Sequence, residues 1–122
     1  MAGDEATTGP EMALKLLVAT RARLRDLIAL KVRRDEDVLM DRAEVAALDT
    51  DINNLRELLT ERRAGGAVIP PLSPAEIRTA QRLLDDLAGL AVEDLLVATG
   101  LQLIKSGLTT ARDLQRPKNA PA

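Results

Sequence analysis

The sequence predicts an all-α fold: four main helices arranged as two antiparallel helix hairpins that pack into one bundle. Three observations carry this. The 122-residue chain has no Phe, Tyr, Trp, Cys or His, and 22 of its residues are leucine. A core restricted to Leu, Val, Ile, Ala and Met suits close helix packing, whereas strands favour aromatic and β-branched residues. Apolar residues recur at helical spacing through both halves of the chain. The tetrapeptide SPAE at 73–76 is a complete helix start, with Ser73 as cap, Pro74 at the first helical position and Glu76 placed to close a capping box. At 46% hydrophobic and 30% charged residues the composition is globular, and the length suits one domain, assigned to 11–115, rather than two.

Residues 1–10 are small, polar and closed by Pro10, and read as a disordered tail. Helices are expected over about 11–34 and 41–63. At seven-residue spacing Leu17, Leu24, Val45, Ile52 and Leu59 share one seam position, and Leu27, Leu48 and Leu55 share its companion. Lys31, Arg34 and Asp41 fall on the same seam and interrupt it. A hairpin explains the interruption. Asp41 followed by Glu44 is a capping-box pattern, and KVRRDED sets basic residues at one helix end and acids before the next start. No Gly or Pro lies between 35 and 41, so the alternative is a single helix in which the first two are fused.

The halves meet at RRAGGAVIPPLSPAE, residues 62–76. Gly65 and Gly66 allow the preceding helix to stop and turn, and Pro70 and Pro71 stiffen the approach to the next helix. Val68, Ile69 and Leu72 are apolar, unlike the residues of a free linker, so 64–73 reads as an ordered corner. It closes within one chain or, opened as a hinge, between two. The third helix, 74–89, carries Ile77, Ala80, Leu84 and Leu87 at helical spacing and ends near Gly89. The fourth is expected over 92–106, with Gly107 as its stop. Its uncharged stretch LLVATGLQLI, 95–104, predicts a helix buried all round, inside the bundle or at an oligomer interface. Thr109 or Thr110 would cap a short helix over 110–115, and 116–122 reads as a second disordered tail.

These residue types exclude much chemistry. Without His or Cys there is no imidazole for proton transfer and no thiolate. Ser73 and Ser106 are the only serines, and no histidine activates them. Asp85 and Asp86, like Glu93 and Asp94, are helix neighbours that point about 100° apart, so neither pair forms a shared acid–base site. Asp49, Asp51 and Asn53 begin like a calcium loop, but Asn54 stands where that loop needs glycine and Thr60 where it needs glutamate. The paired glycines lack the Lys-Ser/Thr of a phosphate loop. No catalytic residue, cofactor or metal site is expected, and the chain reads as no enzyme.

A net charge of −2 gives no overall attraction to nucleic acid or membranes. No apolar run is long enough to span a bilayer, the acidic N-terminus lacks the apolar core of a signal peptide, and cysteine is absent; a cytoplasmic location is expected. Charge is nevertheless segregated: residues 12–34 carry seven basic groups and one acid, and 35–61 carry nine acids and two basic groups. Along a hairpin these faces would neutralise each other. Otherwise Arg21, Arg23, Arg25, Lys31, Arg33 and Arg34 could lie along phosphates. Residues 30–45, LKVRRDEDVLMDRAEV, resemble the segment following the DNA-binding helices of some phage small terminase subunits, and that resemblance implies a helical DNA-packaging oligomer. No helix-turn-helix precedes the segment here, and aromatic membrane anchors are missing.

The main expectation is a non-enzymatic interaction or oligomerisation protein that binds a protein partner or itself. Its seam would be Leu17, Leu24, Leu27, Val45, Leu48, Ile52, Leu55, Leu59, Leu96 and Leu103. The alternatives are a nucleic-acid accessory protein of phage or packaging type, using the six basic residues above, and a bundle that holds an apolar ligand. No membrane partner is expected.

Overall fold

The computed structural model describes residues 8–65 and 71–115. Within them run α1 (Gly9–Arg33), α2 (Leu39–Gly65), α3 (Pro74–Gly89), a 3-10 turn (Val92–Leu96) and α4 (Ala98–Gln115). The fold is all-α with four helices, as the sequence predicts. An isolated antiparallel bridge between Thr8 and Pro71 ties the start of α1 to the approach of α3. The expected tails, at 1–7 and 116–122, and the corner residues Gly66, Val68, Ile69 and Pro70 lie outside the described residues.

The first helix starts sooner than expected, because Thr8 caps it. Its hydroxyl accepts from the Glu11 N–H, and the Glu11 carboxylate accepts from the Thr8 N–H at 3.0 Å. Pro10 sits inside the first turn, where its missing N–H does no harm, rather than closing a tail. The start of α3 is as predicted: Ser73 and Glu76 form a capping box around Pro74.

Between α1 and α2 the chain breaks, which removes the fused-helix alternative. The Asp35 N–H bonds the Val32 carbonyl and the Glu36 N–H bonds the Lys31 carbonyl, the paired bonds of a Schellman motif. The left-handed position of that motif, at φ 57°, is held by Asp35. Aspartate tolerates this conformation better than most residues with a Cβ, so no glycine is needed. Helix α2 then begins at Leu39, before the predicted Asp41 cap. Asp37 Oδ1 accepts from the Leu39 N–H at 3.0 Å, and the Val38 carbonyl accepts from Arg42. Asp41 lies in the first turn, its carboxylate turned to Lys31 Nζ at 2.9 Å.

The fourth helix also departs from expectation. Residues 92–96 form the 3-10 turn, Val97 is extended, and α4 runs from 98 to 115 without a stop. Gly100 lies so close to the Asp94 carbonyl and the Leu95 backbone that a Cβ there would collide with both. Its bare surface lets the first turn of α4 cross over the 3-10 turn. Gly107, predicted as a stop, is buried mid-helix, and the separate helix over 110–115 is the end of α4. The stretch 95–104 is not buried all round. Leu95 and Ile104 are buried, while Val97 and Leu101 stay 49% and 43% exposed, because the break at Val97 divides one apolar run between two elements.

The core centres on α1. Its buried arc (Met12, Ala13, Leu16, Leu17, Thr20, Leu24 and Leu27) meets α2, α3, α4 and the 3-10 turn. Leu48, Ile52 and Leu55 come in from α2, Ala80 and Leu87 from α3, and Leu95, Ile104 and Ala111 from the C-terminal part. Among the described residues the backbone of α2 approaches no helix but α1, and a long Arg112–Glu44 ion pair of 3.9 Å is its polar link to α4. Three helices converge where Thr20 of α1 and Leu87 of α3 press on Gly107 of α4.

Thr20 is fully buried and its hydroxyl has no hydrogen-bond partner. Replacing an unsatisfied hydroxyl by a methyl group of similar shape removes a desolvation cost of about 1 kcal/mol or more. Thr20→Val is therefore expected to raise stability to urea by about 1 kcal/mol. Gly107→Ala drives a methyl group into that hydroxyl. It should destabilise by about 1–2 kcal/mol despite alanine's better helix propensity. In a Thr20→Ala background the same change should become neutral or stabilising. Additive effects of the two substitutions in a double-mutant cycle would refute the close approach.

Candidate functional site

The leucine seam is folded into the chain itself. Leu17, Leu24, Leu27, Leu48, Ile52 and Leu55 are buried in the core. Val45, Leu59, Leu96 and Leu103 are half-buried, and all of these but Leu59 border that core. The apolar side chains that remain outside are others: Val32, Leu39 and Met40 around the α1–α2 break, and Val97 and Leu101 at the start of α4. Leu39 and Met40 are 71% and 78% exposed. Next to them on α2, Ala43, Ala46 and Ala47 are exposed as well. No periodicity singles these residues out, because they belong to the face turned away from the helix that α2 packs on.

The six predicted basic residues are mostly engaged within the chain. Arg21 Nη1 meets Asp49 Oδ1 at 2.7 Å, with Arg25 at 4.0 Å from the same oxygen. Lys31 holds Asp41, and Arg34 holds Glu36 at 3.4 Å. Arg23 pairs with Asp26 at 3.2 Å and donates to the Leu90 carbonyl, so a cation sits where α3 ends and helix dipoles favour one. Arg33 has no partner among the described residues. The ion pairs between α1 and α2 grow more distant in sequence away from the break, from 31–41 to 21–49, as a chain folding back on itself requires.

Because α2 packs on neither α3 nor the 3-10 turn, a face of α1 stays open between α2 and these two elements. It carries two shallow depressions. One, of about 440 Å³, is lined by Leu14, Lys15, Val18, Ala19, Arg56 and Leu84. The other, of about 670 Å³, is lined by Ile28, Ala29, Val32 and Val92 with Arg25, Asp26, Arg33 and Arg42. Neither is an enclosed apolar cavity of the kind a bundle uses to hold a small ligand.

Among the described residues no cluster of acidic side chains is placed to hold a metal ion, and no helix is long and apolar enough to cross a membrane. Asp85 and Asp86 at the end of α3 and Glu93 and Asp94 in the 3-10 turn are all exposed. Comparison with protein families, with curated proteins and with solved structures finds no match for this chain.

The Lys31–Asp41 pair joins the two helices beside the break, with both side chains about four-fifths buried at 21% and 19% exposure. Lys31→Asp should lower stability by about 1–2 kcal/mol, since it sets two acids together in a partly desolvated site. The swap Lys31→Asp with Asp41→Lys should recover only part of this. It restores attraction but puts each charge at the helix end whose dipole opposes it. Urea titration of the three variants checks the order.

Proposed function

We propose that this chain is a non-enzymatic helical module that self-associates, α2 against α2, through the face its own fold leaves uncovered. The observation that carries this reading is the exposure of Leu39 and Met40 at 71% and 78%, well above the 43–49% of the other exposed large apolar side chains, Val32, Val97 and Leu101. Ala43, Ala46 and Ala47 continue that face over the next two turns. Small residues let two helix backbones approach closely, and the larger side chains at one end then fill the space between them. A twofold axis would place the same patch on both sides of the contact. The absence of His and Cys, and the dispersal of the exposed acids, support a role without catalysis. The internal pairing of the predicted basic face weakens the nucleic-acid alternative.

Sedimentation equilibrium tests this. A mass above the 13.1 kDa of one chain is expected at micromolar concentration, with return to that mass in the Leu39→Lys, Met40→Lys double variant. Both substituted positions are exposed, so folding should persist and circular dichroism should be unchanged. A wild-type protein of 13.1 kDa at every concentration would overturn the proposal.

A further inference from the structure

We infer that the open face of α1, between α2 on one side and α3 with the 3-10 turn on the other, is a docking groove for an acidic amphipathic helix of another protein. The two depressions are parts of one surface. Leu14, Val18, Arg25, Ala29 and Val32 follow one another at helical spacing, and Ala22, exposed, lies between the two ends. Along α1, residues 14 to 32 span roughly 27 Å, the length of a helix of about 18 residues. The α2 wall is equally regular, for Arg42 and Arg56 are four turns apart on one face.

The groove joins an apolar floor to cationic rims. Lys15, Arg33, Arg42 and Arg56 have no side-chain partner among the described residues. Arg25 has only an acid already engaged by Arg21. Asp26 is the one acid lining the groove, and Arg23 holds it. Five cations therefore surround Leu14, Val18, Ala29 and Val32, and the two acids beside them, Asp26 and Asp49, are already paired with Arg23 and Arg21. A helix with an apolar stripe covers that floor, and glutamates flanking the stripe reach both rims. Nucleic acid would satisfy the cations but leave the floor bare, and the chain has no aromatic side chain on which a base could stack.

Fluorescence anisotropy with labelled helical peptides tests the groove. The probe is a designed peptide of about 18 residues with a Leu/Ala stripe flanked by Glu. Its counterpart has Lys in place of Glu, and a labelled DNA duplex is the third ligand. The Glu peptide should bind saturably, more weakly as salt rises, and about tenfold or more tighter than the Lys peptide. Arg42→Glu with Arg56→Glu should weaken it by about tenfold or more. Ala22→Gln with Ala29→Gln should weaken it similarly, by filling the floor with a good helix former. Arg78→Glu with Arg82→Glu makes the same change of net charge at exposed positions of α3 outside the groove, and should leave binding intact. Equal affinity for both peptides, or tighter binding of the duplex with loss in Arg42→Glu and Arg56→Glu, would overturn the inference. So would a homodimer that those two substitutions dissociate, since a second copy would then fill the groove. Peptide binding indifferent to every groove variant refutes the groove but leaves self-association through Leu39 and Met40 standing.

Discussion

Helix α1 packs against every other element, through an arc made of leucine, methionine, alanine and one threonine. An aliphatic core of this kind holds together by shape rather than by large planar rings, so its stability depends on how closely backbones approach. Gly100 lies over the Asp94 carbonyl, Gly9 lies against the Leu114 carbonyl, and Gly107 lies as closely over the Thr20 side chain. A β-carbon at either Gly100 or Gly107 would push α4 off its neighbours. Gly100 and Gly107 thus act through the room they leave, and not through unusual backbone angles. Thr20 fits the same account. It is fully buried beside Gly107, although its hydroxyl finds no partner there.

The remaining helix, α2, is held differently. It shares a short apolar strip with α1 and is set in register by Arg21–Asp49 and Lys31–Asp41. Partly exposed pairs of this kind stabilise little, but a slipped register would set like charges together, and that favours one alignment over its neighbours. Segregated charge in the sequence therefore becomes an alignment device. Of the six basic residues that read as a phosphate-binding face, Arg21 and Lys31 are engaged in it.

Much of the architecture is legible in the residues, and the parts that are not have physical causes. Thr8, Pro10 and Glu11 repeat the Ser73, Pro74 and Glu76 pattern. The first start is masked because its small, acidic surroundings resemble a tail. Charge reveals the break between α1 and α2 but hides its mechanism, because aspartate takes the left-handed position where glycine is the usual signal. Asp41 carries the signature of a cap, yet the tertiary partner Lys31 outcompetes the local role and leaves Asp37 to meet the Leu39 N–H. Gly107 shows the reverse ambiguity, since a glycine that ends a helix and a glycine that admits a neighbour look alike in one sequence. The seam residues are recognisable as apolar, but periodicity says only that a stripe is covered, not whether the same chain covers it. The groove is not legible at all, for it exists only because α2 stands apart from α3 and the 3-10 turn on one face of α1.

The separation of α2 from α3 has its own electrostatic explanation. Closing the gap would carry Lys15, Arg42 and Arg56 out of water, and no acid of α3 or the 3-10 turn lines either depression. Burying an unpaired charge costs several kcal/mol, more than the burial of a few alanines and valines returns. The unpaired cations thus oppose closure of the groove over its apolar floor. The asymmetry that prevents collapse also sets the terms of occupation, because only a ligand bringing both apolar surface and negative charge removes the two penalties together. A purely apolar helix would strand the cations, and a purely anionic polymer would leave the floor wet. Self-association through the outer face of α2 leaves this arrangement untouched, since Leu39 and Met40 line neither depression.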